Sequence, residues 1–125
     1  RTLQDNGLSA FYEGFALQSL GRTREALSAY QRALQDYPNS DIILNNLGYA
    51  QLELGRLDLS LENLNKAISL NPNNMEAYRN LGLANYRLGR FAEAVTAFEA
   101  AIALEPNQPE LVQQVLADAR VKAGQ

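Results

Sequence analysis

The chain has 125 residues, a net charge of −3, 46% hydrophobic and 20% charged residues. It is long enough for one packed core and has the composition of neither a disordered segment nor a membrane protein. With no cysteine and no histidine, it has no disulfides, thiolate-held metal centres, Cys or His nucleophiles or imidazole bases, leaving only an all-carboxylate Mg²⁺ or Ca²⁺ site formally open. A pI near 4.9 argues against nucleic acid as the ligand, because phosphate binding needs clustered cations.

Residues 1–6 form a lead-in without periodicity. Apolar residues then recur at steps of three and four, which predicts helices over 8–20, 24–36, 41–54, 58–70, 75–88 and 92–104. Leu44, Leu47, Ala50 and Leu54 mark one face, and Leu61, Leu64, Ala67 and Ile68 the next. Gly21, Gly55 and Gly89 read as helix stops that adopt positive φ. Pro38, Pro72 and Pro106 close the second helix of each pair. No segment alternates with period two, so the expected class is all-α. No apolar run approaches the roughly 20 residues of a membrane span, so this segment is not expected to insert in a membrane. Arg1 in the first position points to a fragment and leaves an upstream signal or anchor open. No residue assigns a compartment, with the cytoplasm as default.

The pairs repeat every 34 residues. Gly14, Gly48 and Gly82 keep that step. So do the columns starting at Ala16, Leu20, Gly21, Arg22, Ala33, Pro38 and Asn39. The units are 7–40, 41–74 and 75–108. Glycine inside a helix costs about 1 kcal/mol relative to alanine, so its recurrence at 14, 48 and 82 implies close helix packing. Ala26, Ser60 and Ala94 are the expected small partners. Over 109–125, Pro109 suits a first helical turn. Leu111, Val112, Val115, Leu116 and Ala119 form an apolar stripe opposite Gln113, Gln114, Asp118, Arg120 and Lys122, as a capping helix with a polar outer face requires.

These columns resemble the tetratricopeptide repeat family across residues 7–108. The third unit fits best, through Tyr78, Leu81, Gly82, Tyr86, Ala94, Phe98, Ala101 and Pro106. In the first, Glu13 replaces the leucine of Leu47 and Leu81, and Ala10 a large residue. The resemblance implies a right-handed superhelical αα-solenoid whose first helices line a concave groove. By family position the groove residues are Leu8, Phe11, Tyr12, Phe15, Gln18 and Ser19 in the first unit. The second gives Ile42, Asn45, Asn46, Tyr49, Leu52 and Glu53, and the third Glu76, Arg79, Asn80, Leu83, Tyr86 and Arg87. Gln113, Gln114 and Arg120 extend it.

Asparagine is a poor mid-helix residue, and a carboxamide both donates and accepts. Asn45, Asn46 and Asn80 are thus candidates for holding a peptide backbone, or for bonding a neighbouring helix. Arg79 and Arg87 suggest an acidic-leaning peptide, with Arg87 pairing a ligand carboxylate or else Glu53 or Glu76. The family's clamp for terminal carboxylates needs a basic residue and an asparagine where Phe11 and Phe15 stand, which argues against that clamp. Leu8, Phe11, Tyr12 and Phe15 make an aromatic stripe with three open readings: a ligand pocket, a surface covered by upstream chain, or a homo-oligomer contact. No nucleotide or catalytic motif is present. Arg22, Arg56 and Arg90 follow helix ends, where cations are favoured structurally. The expected function is a non-enzymatic protein–protein interaction module, without cofactor, that takes a peptide or helix as a scaffold or assembly factor. Self-association is the alternative.

Overall fold

The computed structural model describes residues 6–125. Seven helices follow in order: α1 (Asn6–Ser19), α2 (Thr23–Asp36), α3 (Asp41–Glu53), α4 (Leu57–Leu70), α5 (Met75–Arg87), α6 (Phe91–Leu104) and α7 (Glu110–Lys122). No strand occurs among the described residues, and the fold is an all-α helical-repeat solenoid. Residues 1–5 of the expected lead-in lie outside the described residues, and Asn6 already opens α1.

Local chemistry sets the boundaries. Ser40 caps α3 by accepting from the Ile43 N–H at 3.2 Å, and Asn74 caps α5 by accepting from Ala77 at 3.0 Å. Gly21, Gly55 and Gly89 have φ of +80°, +77° and +77°. The following arginine N–H groups donate back to Leu17, Gln51 and Asn85, closing α1, α3 and α5. Gly124 ends α7 the same way, unnoticed in the sequence because it belongs to no repeat column.

Each first helix packs on its second: α1 on α2, α3 on α4, α5 on α6. The mid-helix glycines make this possible, and their nearest neighbours are large side chains that the sequence reading did not pair with them. A Cβ on Gly14, Gly48 or Gly82 would lie 2.7, 2.8 or 2.6 Å from Tyr30, Leu64 or Phe98. These three large side chains are fully buried. The glycines therefore make room for a large side chain, and at Gly48 the expected small partner Ser60 is met as well, its carbonyl 3.5 Å from such a Cβ. Ser60 does contribute, donating to the Gly48 carbonyl at 2.7 Å.

Glu13 is half-exposed and pairs with Arg32 at 2.8 Å. Its counterpart Leu47 is buried in the cluster with Leu27 and Tyr30 of α2. Among the described residues no helix packs on that side of α1, so a carboxylate there keeps its water.

Candidate binding groove

α1 touches α3, α3 touches α5, and α5 touches α7, whereas α2, α4 and α6 do not touch one another. The closer spacing of the first helices makes theirs the inner, concave face. No helix among the described residues is long and apolar enough to cross a membrane.

Two adjoining clefts mark the inner face. One, of about 440 Å³, lies among Phe11, Phe15, Ile42, Asn45, Asn46, Met75 and Glu76. The other, of about 290 Å³, lies among Phe15, Gln18, Asn46, Tyr49, Glu53 and Glu76. Phe15, Asn46 and Glu76 line both. Tyr12 is 61% exposed, Phe15 57%, Ile42 57% and Tyr49 37%. Phe11 is half-buried, its ring 5.4 Å from Tyr12 edge-to-face and 6.1 Å from Tyr30.

Three expectations change. First, Asn45 and Asn80 are only 3% and 6% exposed. Asn80 Nδ2 donates to Asn45 Oδ1 at 2.9 Å, and Asn45 donates on to Asn46. They tie α5 to α3 beneath the surface, and Asn46 alone stays half-exposed between the clefts. Second, Arg87 donates to the carbonyl of Leu52 at the end of α3, where unpaired carbonyls favour a cation. Leu52 itself is buried in the core. Third, α7 covers the far end. The Tyr86 phenol donates to Asp118, its ring meets Phe91 edge-on at 5.6 Å, and the Lys122 ammonium sits 5.5 Å from both rings. Leu83 packs half-buried against the clusters of Leu64 and Phe98. On α7, Gln113, Gln114 and Arg120 donate to Gln108, Glu110 and Glu99.

Asp41, Glu53 and Glu76 line the clefts, and neither Arg79 nor Arg87 does. The arginines that suggested an acidic-leaning ligand therefore lie outside the lining of both clefts. Arg79 is half-buried near Tyr49. Burial, then Glu53, pushes the Tyr49 phenol up, and Arg79 opposes this. Burial likewise pushes Tyr30 up to about 12; its hydroxyl donates to Gln18 at 2.7 Å, and Gln18 donates to Glu53 at 2.9 Å. The sequence reading missed Asp41, Asn71, Asn73, Asn74 and Met75. Asn71 and Asn74 hold the Asp41 carboxylate at 3.0 and 2.9 Å, a link between residues 30 or more apart that no local spacing signals.

No curated protein matches the chain. The family model described as TPR repeat matches residues 14–55 and 52–89, and that described as tetratricopeptide repeat matches 75–108. Among solved structures, the first TPR of Spaghetti (RPAP3), bound to the HSP90 peptide SRMEEVD, has a TM-score of 0.88 at 23% identity, covering 96% of this chain and 97% of that one. The second TPR domain of human RPAP3, in complex with the HSP70 peptide SGPTIEEVD, has a TM-score of 0.83 at 22% identity, with 92% and 95% covered. The Sgt2 TPR domain of Aspergillus fumigatus gives 0.87 at 24%, with 94% and 79% covered. With two repeat models spanning residues 14–108, the chain belongs to the tetratricopeptide repeat family.

Proposed function

We propose that this domain is a non-enzymatic protein-interaction module that takes a peptide or helix in the inner-face clefts, as a scaffold or assembly factor. The observation that carries this is the pair of clefts joined at Phe15, Asn46 and Glu76, with exposed aromatic rings beside acids. The peptides bound by two similar folds support it. Phe11 and Phe15 stand where the carboxylate clamp needs polar groups, so the anchor is an apolar side chain. Asp41, Glu53 and Glu76 favour a neutral or basic flank over an acidic one.

The test is a displayed peptide library selected on the domain, followed by calorimetry of the selected peptides. Losing a buried Phe contact is worth about 1.5–3 kcal/mol, so Phe15→Ser should weaken binding about tenfold or more. Arg22→Ala with Arg56→Ala should leave it unchanged. The opposite pattern would place the ligand on the turn edge and end the groove proposal.

A second reading is favoured by the exposure of Tyr12 and Phe15 together: homo-oligomerisation through this stripe. Light scattering would then show mass rising with concentration, and Phe15→Ser would abolish the rise.

A further inference from the structure

The closed end of the inner face shows how this chain holds a cation. The Lys122 ammonium lies 5.5 Å from the Tyr86 and Phe91 rings and 2.8 Å from the Asp118 carboxylate. A ring face attracts a cation through its quadrupole, and a carboxylate beside it supplies the opposite charge. The second cleft, at the open end, gathers the same kinds of group. Phe15 and Tyr49 present exposed rings there, and Glu53 and Glu76 present exposed carboxylates.

The chain does not neutralise these two acids itself. Glu13, Glu25, Glu99 and Asp118 each pair with an arginine or lysine. Glu53 and Glu76 have no such pair among the described residues. Glu53 accepts hydrogen bonds from neutral groups, those of Gln18 and Thr23. No lysine or arginine lines the cleft. Arg79 lies near Tyr49 without lining it, and Arg87 is turned to the Leu52 carbonyl. A cation brought by a ligand would meet two rings and a net negative charge, which is charge complementarity of one sign.

We propose that the second cleft is a subsite for an arginine side chain, so that the groove takes an extended, basic segment of a partner protein. This rests on the groove reading above and names the ligand that the groove selects. The planar guanidinium stacks on a ring and forks onto a carboxylate, which a lysine ammonium cannot do. The first cleft, with Phe11, Ile42 and Met75, takes an aliphatic side chain of the same segment. The second cleft lies about five residues further along α1 and α3 than the first, or about 7 Å at about 1.5 Å per residue. In an extended chain, side chains on one face recur every second residue, about 7 Å apart. The anchor and the arginine are therefore separated by one residue. The half-exposed Asn46 carboxamide, which lines both clefts, is placed for the peptide group that crosses between them. A helix would have its main-chain groups already bonded and nothing to offer there.

The probes are capped alanine peptides carrying leucine–alanine–arginine in either order, titrated into the ¹⁵N-labelled domain and followed by amide chemical shifts. Saturable shifts at Phe15, Asn46, Tyr49 and Glu76 are expected, and the tighter order fixes the direction of the chain. Citrulline in place of arginine keeps the shape and removes the charge, and should weaken binding about three- to tenfold. Moving the arginine next to the leucine should weaken it as much, because adjacent side chains point to opposite faces. Glu53→Gln with Glu76→Gln alters only exposed groups, and should make the arginine and citrulline peptides bind alike. Added salt should weaken the arginine peptide and spare the citrulline one. Equal affinity of both peptides for the wild-type domain overturns the arginine subsite and leaves the groove reading standing. So does an arginine preference that survives the double substitution. Shifts elsewhere in the domain, or none with any peptide, end both readings.

Discussion

Phe15 and Leu83 hold the same repeat position at the two ends of the inner face, yet only Phe15 is available to bind. Phe15 is 57% exposed and lines both clefts. Leu83 is half-buried against the α6 and α7 packing, and beside it Tyr86 and Arg87 are engaged by Asp118 and by the Leu52 carbonyl. Repeat equivalence predicts where a side chain points. What that side chain has left to offer depends on the next helix in the stack. The open end meets α3 across exposed rings, and the closed end is met by α7.

The most disruptive way to break this contrast is to delete residues 109–125. Val112, Leu116 and Ala119 are buried against α6. Burying a Val or Leu side chain contributes about 1.5–3 kcal/mol, so the truncated chain should lose about 3 kcal/mol or more. It should also self-associate as apolar surface is bared. Urea unfolding and light scattering measure the two effects. An unchanged midpoint with a monomeric mass would mean that α7 closes nothing.

A smaller effect sharpens the contrast within the inner face. Asn80→Ala leaves the buried Asn45 carboxamide without its donor, at about 1–3 kcal/mol. Asn46→Ala removes a half-exposed group and should cost less in stability, while weakening the peptides selected on the groove more. Equal unfolding midpoints for both variants would return Asn80 to the list of ligand contacts.

The repeat, its turns and the end helix were legible because backbone demands recur. Positive φ at Gly21, Gly55 and Gly89 and the stops at Pro38, Pro72 and Pro106 are requirements that few residues meet, so identity persists every 34 residues. The large side chains facing the mid-helix glycines were harder to pair with them. Tyr30, Leu64 and Phe98 share a column but not a residue type, since burial asks only for apolar volume. The groove was half legible. The family resemblance implied Phe11, Phe15, Asn46 and Tyr49 as groove residues by their position in the repeat, and position alone cannot show that Asn45 and Asn80 bond each other, or that Arg87 turns to a carbonyl.

The smallest expected effect concerns the contact that closes the far end. Asp118 takes hydrogen bonds from Lys122, at 2.8 Å, and from the Tyr86 phenol. Both hold its carboxyl below the ordinary 3.8, with Lys122 the larger influence. A carboxyl whose native value lies below its unfolded one stabilises the fold fully above the unfolded value, and loses that contribution as pH falls through the native value. Lys122, raised by the same contact, stays charged throughout that acid range. Asp118 and Lys122 are both more than two-fifths exposed, with side chains 43% and 48% accessible, so solvent screening keeps the contribution modest. Asp118→Asn retains the shape but not the charge. Its melting temperature should lie slightly below wild type at neutral pH, and the difference should shrink as pH falls below the ordinary carboxyl range and through the native value. Phe15→Ser, at the open end, should show a difference from wild type that acid does not remove. Thermal scans of the three proteins across that range decide the point. A gap for Asp118→Asn that stays constant down to the acid limit would mean that its charge plays no part in holding α7 over Tyr86.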